Sequence, residues 1–171
     1  VKVPEIGHYY ENGVCTRCGA LEVNDLAYAL NAEGTAYIVI SRGDYTGREI
    51  YIPARHNDLP VNEIAGYAFF NDSFDSVRIP SSVKRIGAEA FGLCFNDAVY
   101  IDDLAAWCSV EFVDDNANPL KYAARLFVDG EEVTDLVIPE GVIMIGNYAF
   151  YNARIESLTL PEGVICVGSK A

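Results

Sequence analysis

Leu136-Val137-Ile138-Pro139-Glu140-Gly141-Val142-Ile143-Met144-Ile145-Gly146-Asn147-Tyr148-Ala149-Phe150 holds the unit from which the chain is built. Its skeleton returns upstream as Ile79-Pro80, Val83, Ile86-Gly87, Ala90-Phe91 and downstream as Leu160-Pro161, Val164, Val167-Gly168, Ala171. A looser copy is Ile52-Pro53, Ile64-Ala65, Ala68-Phe69. The steps Ile64 to Ile86, Phe69 to Phe91 and Pro139 to Pro161 are each 22 residues. A fixed period of this size marks a solenoid, in which each coil buries its apolar groups only against its neighbours.

Each repeat position has a physical reading. Ile50-x-Ile52, Val77-x-Ile79, Leu136-x-Ile138 and Leu158-x-Leu160 alternate with period two, as a strand with one buried face does. Phe74, Val133 and Ile155 add an apolar group three residues earlier, giving the leucine-rich register. Proline ends the strand because it has no N–H for a ladder. Gly141 and Gly163 suit a following turn with positive φ. Val142-x-x-Ile145 returns apolar groups from an opposite wall, expected to be short helical or irregular segments, and Gly146 permits a tight turn. Phe69, Phe91 and Phe150 should be buried and stacked in successive coils.

The phrases Val77-Arg78-Ile79-Pro80, Ile86-Gly87-Ala88-Glu89-Ala90-Phe91 and Leu136-Val137-Ile138-Pro139-Glu140-Gly141-Val142 resemble the BspA-type leucine-rich repeat family, over about 26–96 and 133–171. The resemblance implies a β-dominated leucine-rich-repeat solenoid with short helices. It also implies a secreted or surface-attached bacterial protein acting as an extracellular interaction module, in some members an adhesin for host matrix proteins.

Composition narrows the partners. A formal net charge of −13 argues against nucleic acid and anionic lipid, both of which need a basic stripe. No apolar run approaches the roughly 20 residues that span a bilayer. The chain starts at Val1, carries no signal-peptide pattern, and Gly168-Ser169-Lys170-Ala171 stops in mid-repeat, which leads us to expect a longer natural protein.

Four segments are expected: a Cys/His-containing N-terminal segment, 1–25; a hairpin cap and first repeats, 26–96; an inserted island, 97–132; and further repeats, 133–171. The cap is a hairpin of Leu26 to Leu30 and Thr35 to Ile40 around Asn31-Ala32-Glu33-Gly34. The island follows from the step Phe91 to Phe150, which is 59 residues. Within it Ala98 to Ile101 keeps strand character. Asp102-Asp103 can cap a helix bearing Leu104, Trp107 and Cys108 on one face, and Asn118-Pro119-Leu120 opens a second turn. Leu126 to Val133 around Asp129-Gly130 reads as a hairpin with a type I′ turn. Trp107 is either a core anchor for the island or an exposed anchor for a partner.

The chemistry-bearing residues are few. His8 with Cys15-Thr16-Arg17-Cys18-Gly19 resembles a zinc knuckle one ligand short, with His56 or an upstream residue as the fourth; free thiols or a local disulfide are the alternatives. Cys94 aligns with Ala153 as a small core residue, and Cys166 aligns with Met144. His56 falls in a polar loop, 54–58, read as an insertion between coils. Asp102-Asp103 and Asp114-Asp115 lack the alternating oxygen ligands of a calcium loop. No nucleophile, base and acid stand in a catalytic phrase, so no enzyme and no cofactor are expected.

The expected function is therefore a non-enzymatic module that binds an extracellular protein or glycan; a structural spacer is the alternative. The binding face should be the outward row of each strand: Tyr51, Arg78, Val137 and Thr159, with Glu49, Ser76, Asp135 and Ser157 two positions earlier, in two ladders about 4.8 Å apart per strand that the island interrupts between Arg78 and Val137. A binder should present a contiguous apolar or aromatic patch there, a spacer only scattered polar groups.

Overall fold

The computed structural model describes residues 25–171 and, outside that span, the backbone of an antiparallel pair, β1 (Tyr10–Glu11) and β2 (Val14–Cys15). The chain then forms the hairpin β3 (Ala27–Leu30) and β4 (Tyr37–Ser41). From there it alternates between two walls. β5 (Glu49–Tyr51) lies in the first; β6 (Arg55–His56) and β7 (Leu59–Ile64) follow in the second. β8 (Ser76–Ile79) returns to the first, β9 (Arg85–Ile86) to the second, and β10 (Ala98–Ile101) to the first. After helix α1 (Leu104–Cys108) comes β11 (Glu111–Phe112), then α2 (Leu120–Ala123) and the hairpin β12 (Leu126–Val128) and β13 (Glu131–Glu132). The last coils give β14 (Asp135–Val137), β15 (Met144–Ile145), β16 (Ser157–Thr159) and β17 (Cys166–Val167).

The first wall has the order β13-β12-β10-β8-β5 and the second β11-β9-β7-β4-β3, with β6 paired to β7. Pairing between successive coils is parallel, as solenoid winding requires. The fold is thus a strand-dominated solenoid with few short helices. The second wall corrects the expectation of helical or irregular segments. Its strands are only two residues long at β9, β11, β15 and β17, yet stacking holds them at ladder distance, where their main-chain groups pair.

Between the walls, Phe69 and Phe91 stack with centroids 5.2 Å apart and planes at 15°, and Phe74 meets both edge-on at 6.2 and 6.3 Å. Phe150 departs from expectation: it is only half-buried, packed at the margin of the core. The last coil exposes Leu158, Leu160, Ile165 and Val167.

Residues 97–132 do not stand outside the array. β10 pairs in register with β8, β12 with β10, and β11 with β9, so this stretch supplies strands to both walls. Asp103 caps α1 by accepting a hydrogen bond from the Ala106 N–H (2.9 Å). Trp107 is 2% exposed, which settles its role as a core anchor rather than an exposed one; its indole N–H donates to the Ala149 carbonyl at 2.8 Å. The β12–β13 turn has positive φ at Asp129 (51°) and Gly130 (87°), as type I′ requires. The loop at 54–58 is a hairpin turn of the second wall, with Asn57 and Asp58 left-handed.

The glycines also differ from the reading. Gly141 has φ 88°, but Gly163 is outside the positive region. Gly87 serves close approach rather than turning: a Cβ there would lie 2.3 Å from the Gly66 nitrogen of the preceding coil. The turning is done elsewhere, by Tyr67, Glu89, Tyr148 and Lys170 and by Asn71, Leu93 and Asn152, all left-handed and at matching positions in their coils.

Candidate functional site

The outward side of the first wall brings four strands together in register. Tyr51 pairs with Arg78, Arg78 with Tyr100, and Tyr100 with Phe127. Inward neighbours Ile50, Val77, Val99 and Leu126 are all buried, which forces the alternate residues out. The row is chemically focused. Tyr100 and Phe127 stack at 4.5 Å and 21°, the Arg78 guanidinium lies 4.6 Å from the Tyr100 centroid, and that of Arg125 lies 5.0 Å from the Phe127 centroid. Such cation–aromatic contacts contribute on the order of 0.5–1 kcal/mol each at exposed sites and hold the cations over the rings.

Two ion pairs flank the row. Arg48 holds Asp75 through two N–H donors, and Arg125 holds Glu132 in a two-bond fork at 3.0 and 2.9 Å. Hydrogen bonding from Arg48 pulls the Asp75 carboxyl below its ordinary value, and hydrogen bonding from Arg125 does the same to Glu132. Arg78 differs: among the described residues no carboxylate pairs with it. It borders a groove of about 320 Å³ at the carboxyl ends of the strands, lined by Tyr51, Ala54, Pro80, Asp102 and Asp129 among others.

Of the residues expected on the binding face, Glu49 and Ser76 are register partners, as are Tyr51 and Arg78. Asp135 and Ser157, and Val137 and Thr159, are paired too, but in a separate two-stranded sheet. The interruption between Arg78 and Val137 falls later than expected: the row runs on through Tyr100 and Phe127, and β13 then turns back antiparallel on β12 and forms the edge of the first wall. Tyr100 and Phe127, the aromatic centre of the row, were missed because their segment was read as an insertion. The signal was present in the step of 22 residues from Arg78 to Tyr100.

The other candidates find structural roles or lie out of view. His8 and Cys18 are outside the described residues, and of Cys15 only the strand backbone is described. His56 stacks on Tyr28 at 4.0 Å and meets Tyr37 edge-on at 4.7 Å. Burial pushes the Cys94 thiol up to about 12 and the Cys108 thiol up to about 11, and Cys94 Sγ donates to the Phe69 carbonyl. Cys166 is exposed. Asp102 accepts from the Ser81 N–H at 2.7 Å, Asp114 from the Ala117 N–H at 2.8 Å, and Asp115 pairs with Lys121 and Lys170. Among the described residues no three His, Cys, Asp or Glu side chains converge as a metal site.

The repeat pattern described as the BspA type leucine rich repeat region matches six copies, over residues 56–104 and 121–171, more than half of the chain. The chain belongs to the BspA-type leucine-rich repeat family. Three solved structures are similar to this BspA-type array. A T. pallidum leucine-rich repeat protein is 22% identical, with TM-score 0.43, covering 84% of this chain and 79% of that one. A leucine-rich repeat protein from Bacteroides capillosus is 18% identical, with TM-score 0.41 and coverage of 87% and 96%. A leucine-rich cell surface protein from Faecalibacterium prausnitzii is 22% identical, with TM-score 0.44; the match covers 85% of this chain and 43% of that one. No curated protein matches the chain. Membership in the BspA-type family points to an interaction or surface module and names no partner. No helix among the described residues is long and apolar enough to cross a membrane.

Proposed function

We propose that this BspA-type array is a non-enzymatic recognition module that works outside the cell and binds a protein or glycan partner across the outward face of its first wall. The supporting observation is the row Tyr51, Arg78, Tyr100, Phe127, in which stacked rings and stacked guanidinium groups form one contiguous patch. Tyr and Arg are the residues most often found at binding hot spots, and pre-stacked side chains lose little freedom on docking. A passive stalk needs no such row.

A panel of extracellular matrix proteins and glycans, offered to the immobilised chain, tests the reading. At least one should bind, and Tyr100→Ala with Phe127→Ala should weaken it more than tenfold while circular dichroism stays unchanged. Binding that survives both changes would place the site elsewhere, and a panel with no binder would favour the spacer.

A further inference from the structure

We infer that the groove at the carboxyl ends of β5, β8 and β10 takes an acidic sugar: a pyranose ring carrying one carboxylate. This deepens the binding reading above and rests on it. The groove is polarised. Its Arg78 end presents a guanidinium that lies over Tyr100, 4.6 Å from the ring centroid, and has no carboxylate partner among the described residues. That leaves a planar fork of N–H donors, the geometry that grips a carboxylate through two bonds. Tyr51, on the neighbouring strand, adds an aromatic border at the same end.

The other end carries Asp102 and Asp129. Asp102 is held in place by the Ser81 N–H, while Asp129 stands exposed at the left-handed turn of the β12–β13 hairpin. Ionised carboxylates only accept hydrogen bonds, so they select a ligand rich in donors, such as ring hydroxyls. One strand spacing and two residues along the strand separate Arg78 from Asp102, roughly 8 Å between their backbones. A single ring with a carboxylate on one side and hydroxyls on the other spans that interval.

Two alternatives fit less well. β8 and β10, which carry Arg78 and lead into Asp102, are paired on both sides, so their main-chain groups are already used; an extended peptide could add only at the outer edge of β5, away from Asp102 and Asp129. A sulfated polyanion is opposed by the chain's charge of −13 and by the two aspartates themselves. The volume, about 320 Å³, lies at the small end of ligand sites and suits a ring-sized group better than a folded protein edge.

Saturation-transfer NMR on the whole chain tests this with methyl glucuronide, its neutral counterpart methyl glucoside, and a heparin fragment. The glucuronide should bind at least tenfold more tightly than the glucoside. Arg78→Gln should abolish that preference, and Asp129→Asn should weaken the glucuronide several-fold; both side chains are exposed, so neither change threatens the fold. Equal binding of the two glycosides, preferred binding of heparin, or a preference that survives Arg78→Gln would overturn the assignment. If no sugar binds but Tyr100→Ala with Phe127→Ala still abolishes capture of a protein partner, the sugar site falls and the broader reading stands.

Discussion

Leu93 has φ 55°, in the left-handed region that a bulky side chain enters at a cost of about 1–2 kcal/mol. Asn71 and Asn152 hold the matching place in their coils, and asparagine tolerates this conformation far better. Because the Leu93 side chain is 54% exposed, replacing it forfeits little burial. Leu93→Asn should therefore stabilise the protein by about 0.5–1 kcal/mol, read as a rise of a few degrees in Tm. Cys94 makes the opposite point about burial. Its thiol goes from 9.0 when unfolded to about 12 in the coil, so the folded state keeps its proton longer. Stability is then unaffected below pH 9 and falls as pH rises from 9 towards 12, by up to about 1.4 kcal/mol per pH unit for this one thiol. Cys94→Ala, which copies the residue at Ala153, should make the alkaline limb of a stability–pH curve shallower. A curve of unchanged slope would contradict the buried, neutral thiol.

At the scale of elements, much was legible because each repeat phrase carries its own instructions. Alternating Ile and Val gave the first-wall strands, Asp103 gave the cap of α1, and Asp129-Gly130 gave the hairpin turn. Beyond its β3–β4 hairpin the second wall was not legible. Two-residue strands such as Arg85–Ile86 have no period to detect, and they exist only because neighbouring coils hold them at ladder distance. For the same reason the left-handed turns were invisible: Tyr, Glu and Lys at these positions give no local signal, and the winding of the coil imposes the conformation. The candidate site was half read. Tyr51 and Arg78 were chosen, whereas Tyr100 and Phe127 were lost once their segment was set apart from the array. That segment contributes an unusual joint. Trp107 Nε1 and Asn118 Nδ2 both donate to the Ala149 carbonyl, and Asn118, fully buried, also donates to Tyr148 and accepts from the Leu120 N–H. Trp107→Phe keeps a buried aromatic ring but deletes one of these bonds and leaves the Ala149 carbonyl to Asn118 alone, so denaturant unfolding should report a loss of about 0.5–1.5 kcal/mol from the missing bond.

Across the whole molecule, both walls are interrupted at the same point. Among the described residues no strand pairing runs from β11, β12 or β13 to β14 or β15, and a groove of about 250 Å³ opens between β11 and β15. The two parts are joined instead by the Trp107 and Asn118 bonds, by Gly146 N–H to Cys108 and Arg154 N–H to Ala124, by Asn152 Nδ2 to the Lys121 carbonyl, and by the Lys170–Asp115 ion pair. In a solenoid, stability is roughly a sum over neighbour interfaces, so a weak interface divides the array. Native-state hydrogen exchange should find the amides of β14 to β17 opening at lower free energy than those of β5, β8 and β10. A single protection class across both groups would show that the joint is as strong as a full ladder.

That joint also bears on what happens when the molecule is stretched. Strands paired along their length resist a pull by sharing it among many main-chain bonds at once. The joint has few bonds, and the three from Trp107 and Asn118 gather on the carbonyls of Tyr148 and Ala149. Tension along the array should therefore concentrate there, and in a pulling experiment the last coils should part from the rest before any coil unravels. The joint would then act as a fuse: the expected record under load is one early extension step, with the aromatic face of the first wall still folded after it.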